Sequence, residues 1–389
     1  MVQNHDRCDP SIFANDEIFR RMVNEVFDTR AEVLYDKKVE LHKISTCVAT
    51  LNGAHSDQIT SVAFHPTLPL LATGSDDSTS KIWQLCSDNS APACLVTVGH
   101  TAIINRLGFV LCVAFHPTMP IWATSSADKT AKLWRLSPDN SSATCVATLE
   151  GHSDWVFWVT FHPTLPLLAT SSWDSTAKLW RLSPDYSEVT CVATLVGHRR
   201  LWYRLWLSGM VLSVAFHATA PLLATSSVDR TAKLWRLSPD NSSATCVATL
   251  VGHRLPWYRP LWCKWFKTGS TVCSVAFHAT LPLLATGSDD KTAKLWCLSP
   301  DYSEAICVAT LVGHGQKIRH VAFHPTAPLL ATTSNDKTAK LWQISRDNSS
   351  AKCVATLEGH SGDVRSVAFH PTLPLMATGC SDKTLKMWR

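Results

Sequence analysis

Seven tryptophans, Trp83, Trp134, Trp180, Trp235, Trp296, Trp342 and Trp388, close seven near-copies of one block. Where nothing is inserted, the blocks recur every 46 residues. The shared wording is "CVATLxGH" followed by "SVAFHPTxPLLATxSxDxTAKLW". A unit this short cannot bury its own apolar face, so copies must stack on one another. Length alone would suggest about two to three domains for 389 residues. The repeat overrides that and predicts one continuous body.

Each block reads as four strands. "SVAFH" alternates apolar and polar positions, "PLLAT" is a short buried run, and "TAKLW" and "TCVATL" follow. The prolines of "HPTLP" fix φ and refuse ladder hydrogen bonds, so that segment is a turn. "DKT" or "DST" makes a tight turn before the third strand, and "SPDNSS" a polar loop before the fourth. Four strands per unit repeated radially give an all-β propeller.

The period, the Gly-His pair and the terminal Trp together resemble the WD40 repeat over about residues 45–389. The Asp that usually follows that Trp is Gln, Arg or Cys wherever the chain continues. The resemblance implies a seven-bladed propeller spanning residues 39–389. The last block stops after its third strand. The spare "TCVATL" at Thr46–Leu51 is expected to complete it, so that both ends share the last blade and no sheet edge is left open.

The resemblance also assigns a hydrogen-bonded set to each blade. Its histidines are His55, His100, His152, His198, His253, His314 and His360. Its acids are Asp77, Asp128, Asp174, Asp229, Asp290, Asp336 and Asp382, each six residues before the Trp; a Thr stands ten before it. A His–Asp–Thr set is similar to a hydrolytic triad. Sevenfold recurrence and the need to pair buried polar groups favour a structural role. The "FHP" or "FHA" histidines, one per block, are expected to pack their own turns; they cannot converge on one metal.

No CxxC pair, HExxH helix or phosphate-binding loop occurs. No enzyme activity, cofactor or metal is therefore expected. The cysteines of "CVATL" are read as small buried apolar residues, too far apart from blade to blade for disulfides. The beginning of the chain carries acids and no continuous apolar core, which is unlike a secretory leader. The expected location is cytoplasm or nucleus. Residues 1–38 form an N-terminal extension. There Ile18, Phe19, Met22, Val23, Val26 and Phe27 share one helical stripe behind the cap candidates Asn15 and Asp16. Such a helix either docks on the propeller or binds a partner.

The copies differ at one place. From the Gly-His histidine to the Phe of the next strand, four blocks count nine residues. His100–Phe115 has six more, His198–Phe216 nine more and His253–Phe277 fifteen more. All three insertions fall between the fourth strand of one blade and the first of the next, which places them on one face. The second holds Arg199, Arg200 and Arg204 among Trp202, Tyr203 and Trp206. The third holds Arg254, Arg259, Lys264 and Lys267 among Trp257, Tyr258, Trp262 and Trp265. These seven cations meet no acid locally and exceed the whole chain's net charge of +5. Trp155, Trp158 and Trp173 are expected to reach the same face. Trp, Tyr and Arg dominate binding hot spots. The pattern predicts a non-enzymatic scaffold, working within multi-protein complexes, that docks an acidic peptide or protein on its top face over blades 3–5. Self-packing of the loops, or contact with nucleic acid or an anionic membrane surface, would use the same residue types.

Overall fold

A computed structural model describes residues 44–85, 92–100, 108–198, 209–253 and 270–389. The strands fall where the block predicts. In blade 1 they are β2 (Ile59–Phe64), β3 (Leu70–Ser75), β4 (Thr79–Gln84) and β5 (Ala93–Gly99), paired in that order and antiparallel. Blades 2 to 6 repeat the arrangement, so each sheet has an inner first strand and an outer fourth strand.

Blade 7 is composite. Its strands β26 (Val364–Phe369), β27 (Met376–Cys380) and β28 (Leu385–Trp388) are completed by β1 (Cys47–Leu51). Cys47 lies opposite Trp388, and Leu51 opposite Leu385. Beyond that ladder, the Ser45 and Thr46 N–H groups both donate to the Arg389 carbonyl, and the Arg389 N–H donates to that of Thr46. The seam anticipated from the sequence is therefore closed by backbone hydrogen bonds, which leave no unpaired ladder between the two ends.

The second strand of each blade is the most enclosed, with every residue of "LLATGS" or "LLATSS" buried. Each apolar cluster spans two neighbouring blades. Leu167, Ala169 and Leu179 of blade 3, for example, pack on Val211, Val214 and Phe216 of blade 4. Burial between blades, rather than within one, is what welds the ring.

The "FHP" and "FHA" histidines do two jobs. His65 Nδ1 accepts the N–H groups of Thr67 and Leu68 and so ties its own turn. Its ring also meets Phe115 of blade 2 edge-on, with centroids 4.9 Å apart. The same contact runs blade to blade, from His116–Phe161 round to His370–Phe64. Turn packing was expected; the seven-membered girdle of His–Phe pairs was not.

One expectation about the cysteines is overturned. Cys47, Cys94, Cys145, Cys191, Cys246, Cys307 and Cys353 are exposed, because the fourth strand is the outer edge of its blade and turns one face to water. The eleven described cysteines are free. The stripe over Ile18–Phe27 lies outside the described residues.

Candidate interaction face

Each "SxDxT" turn holds the polar set on one side of the ring. In blade 3 the Trp180 indole N–H donates to Thr170 Oγ1 at 2.8 Å, and His152 Nε2 lies 2.8 Å from the same oxygen. His152 Nδ1 lies 2.7 Å from Asp174 Oδ2. An indole can only donate, so the Thr170 hydroxyl is free to donate to Nε2, and Nδ1–H then donates to the carboxylate. Asp174 also accepts the Thr176 N–H and hydroxyl and the Ser153 N–H. Burial works against its ionisation, but the hydrogen bonds from His152, Thr176 and the Ser153 N–H outweigh it and hold the carboxyl at about 2. All seven blades carry the set, with the imidazoles almost fully enclosed. All seven Thr are fully buried under an indole that already donates to the hydroxyl, so none of these oxygens is open to a substrate.

Blade 7 differs. Cys380 stands where the other blades have Ser, and the Asp382 N–H meets its sulfur at 3.4 Å. His360 Nδ1, Cys380 Sγ and an Asp382 oxygen lie within 4.8 Å of one another, the one such grouping among the described residues. Its His and Asp are already satisfied, by Thr378, Thr384 and the Ser361 N–H. Burial pushes the Cys380 thiol up to about 12.

On the same face blade 3 is aromatic. Trp155 precedes the inner strand β10 (Val156–Phe161), and Trp173 follows the second strand β11 (Leu167–Ser172). The Trp173 N–H donates to the Trp155 carbonyl, which sets the two indoles side by side. Their rings stack at 4.3 Å and 13°. Phe157 adds a further ring over Trp173 at 5.7 Å, and Phe109 of blade 2 meets Trp155 edge-on. The rings are partly exposed, so the stack is a ready apolar surface.

Trp158 does not join that stack. A β-bulge between Val156 and Trp158 makes Phe157 the extra residue and re-aims the side chains on either side of it. The Trp158 indole instead meets His320 of blade 6, with centroids 5.0 Å apart. Blades 3 and 6 lie on opposite sides of the ring, so the pair spans its axis. At the equivalent position other blades use a small group to tie neighbours: Ser61 accepts the Val113 N–H, and Ser366 that of Val62. His320 Nδ1 does the same for Val367, which fixes its ring.

The remaining candidates, Arg199, Arg200, Trp202, Tyr203, Arg204 and Trp206, with Arg254, Trp257, Tyr258, Arg259, Trp262, Lys264, Trp265 and Lys267, lie outside the described residues. The ends of their segments are described: each runs from just after a Gly-His histidine, His198 or His253, toward the next inner strand. Sequence reasoning missed Phe109, the blade 2 counterpart of Trp155, and Phe157, whose counterparts in other blades are polar or aliphatic; the bulge that presents Phe157 has no signature in the alternation.

A closed ring of seven four-stranded blades, each pinned by a Trp–Thr–His–Asp chain, defines the class: a WD-repeat β-propeller. The chain belongs to the WD domain, G-beta repeat family, whose profile matches residues 45–84, 93–135, 143–181, 189–236, 261–297, 305–343 and 351–389. Among curated relatives, it is 31% identical over 302 residues to "Nuclear distribution protein PAC1" of Arthroderma otae, covering 64% of this chain and 60% of that protein. The Tuber melanosporum protein of that name is 34% identical over 311 residues, covering 66% and 61%. A shorter match, 40% over 86 residues, joins it to "Ribosome biogenesis protein ERB1" of Malassezia globosa, covering 21% and 10%. The chain thus spans about 60% of the length of the PAC1 relatives it matches. Among the described residues no helix is long and apolar enough to cross a membrane.

Proposed function

We propose that this protein is a non-enzymatic scaffold in the cytoplasm or nucleus that docks an acidic protein or peptide on its top face, over blades 3–5. The carrying observation is the partly exposed Trp155–Trp173–Phe157 stack. Monomeric surfaces rarely leave such rings clustered without a partner. The acid-free basic and aromatic segments at 199–208 and 254–269 begin one and two blades further round. They supply the cations that a carboxylate-bearing partner needs. The two matched relatives named for nuclear distribution and ribosome biogenesis fit a protein that works among other proteins.

A pulldown that compares the intact chain with a Trp202→Ala, Trp257→Ala and Trp262→Ala variant tests the reading. Loss of captured proteins with an unchanged circular dichroism spectrum is the expected outcome. Full retention of every partner by a folded variant removes these loops from the site, and unfolding of the variant assigns them to self-packing. Steep loss of binding between about 50 and 200 mM salt would favour a nucleic-acid or anionic-membrane surface instead.

A further inference from the structure

The axis of the ring carries a second level of organisation that the blade repeat hides. Every inner strand has its bulge at the same place, so each blade offers one unpaired residue at the upper mouth of the channel. Each blade also brings there the residue that follows its second strand, held by a backbone hydrogen bond to the residue before the inner strand, as in Trp173–Trp155 and Asn335–Lys317. Around the circle these positions change character. Blades 2 to 4 contribute only apolar side chains, including Phe109, Leu111, Trp155, Phe157, Trp173 and Leu212. Blades 6 and 7 contribute three cations, Lys317, Arg319 and Arg365, against one acid, Asp363.

The two arcs face each other. The Trp158–His320 contact shows that blades 3 and 6 approach across the axis, and that pair lies one residue below Phe157 and Arg319. The mouth therefore has an aromatic wall, a cationic wall opposite and a ring-on-ring floor. Arg319 is only loosely paired. Arg319 is 31% exposed, and its nearest carboxylate, Asp363, is 4.0 Å away; its Nε is spent on the neutral Asn335 amide. Arg365 bonds the neutral amide of Gln58 in blade 1, and its Nε has no hydrogen-bond partner among the described residues. The charges of Asp76 on blade 1 and of Asp363 act on Arg365, and Asp289 on blade 5 bounds the patch on the other side, which leaves Arg319 as its most open cation.

We infer that this mouth is a binding cup for a peptide of a partner protein in which an apolar side chain is directly flanked by carboxylates. The apolar group lies on the Trp155–Trp173–Phe157 wall and a carboxylate faces Arg319 and Arg365. A purely apolar ligand would strand the cations, and a purely acidic one would leave the aromatic wall wet, so the two walls select the combination. This assignment rests on the scaffold reading and narrows it to the axis of the ring.

The test uses the full chain and three fluorescein-labelled peptides, Gly-Glu-Glu-Phe-Glu-Glu-Gly, Gly-Glu-Glu-Ser-Glu-Glu-Gly and Gly-Lys-Lys-Phe-Lys-Lys-Gly, titrated by fluorescence anisotropy. The acidic Phe peptide is expected to bind saturably, and each of the other two at least tenfold more weakly. Arg319→Glu and, separately, Phe157→Ser should each weaken the first peptide at least tenfold. Arg346→Glu, a surface change on the far side of the blade, should leave binding within twofold and controls for net charge. Equal binding of all three peptides, retention of affinity by folded Arg319→Glu, or no binding at all overturns the cup. In the last case, partners still captured by the intact chain in the pulldown would keep the scaffold reading while the cup falls.

Discussion

The Thr at the centre of each blade, such as Thr170, has more riding on it than any other single atom set. Its hydroxyl accepts from Trp180 and serves His152, both enclosed. Thr170→Val keeps the shape and removes both links, so two buried polar groups lose their partner. That is expected to cost about 2–4 kcal/mol, read as a lower urea midpoint with native far-UV circular dichroism; a shift below about 0.5 kcal/mol would show that the set is decorative. These residues were legible because seven copies print the same spacing. The exposed cysteines were not, because burial depends on which strand lies outermost, and composition does not say that. Cys191 lies across a second bulge from Trp180, with an open edge beyond it.

At the level of the element, the hairpin turns between second and third strands repeat one irregularity. The residue between Asp and Thr has positive φ in every blade, as in Ser175 at 73° and Lys291 at 71°. Neither is glycine, so each sits in a region that disfavours a Cβ. The turn persists because Asp290 Oδ1 accepts both the N–H and the hydroxyl of Thr292. Lys291→Gly is expected to raise stability by about 0.5–1 kcal/mol, since relief of strain exceeds the extra entropy of the unfolded chain; a lower melting temperature would contradict this. The tight turn could be read from "DKT", but its handedness could not. The bulges were equally invisible: a period of two predicts where Trp158 would point only while the ladder is regular, and one added residue sends it to the axis.

For the molecule as a whole, the ring encloses many imidazoles. Burial pulls His278, His320, His324 and His360 down to about 4, against an ordinary value of 6.5. The unfolded chain therefore binds more protons than the folded one between those limits. The stability these groups confer is complete above pH 6.5 and is lost as pH falls toward 4. Carboxyls such as Asp174, held at about 2, add a further loss below 3.8. Urea midpoints should fall steadily from pH 7 to pH 4.5; a flat profile over that range would mean that these rings are not neutral in the folded state. The closed architecture was fully readable from the repeat, including the shared blade. The division of the mouth into unlike walls was not, because it depends on which blades oppose each other across the axis.

The hydrogen bonds that join Ser45 and Thr46 to Arg389 make the chain a circle in all but covalent connection. Since the other six blades follow the same strand order and almost the same wording, the break has no privileged address. A bridge of a few residues from Arg389 to Ser45, with new ends cut after the third strand of any other blade, yields the same object. The molecule can be opened at any of seven seams, and its outer rim can be threaded from whichever one is chosen.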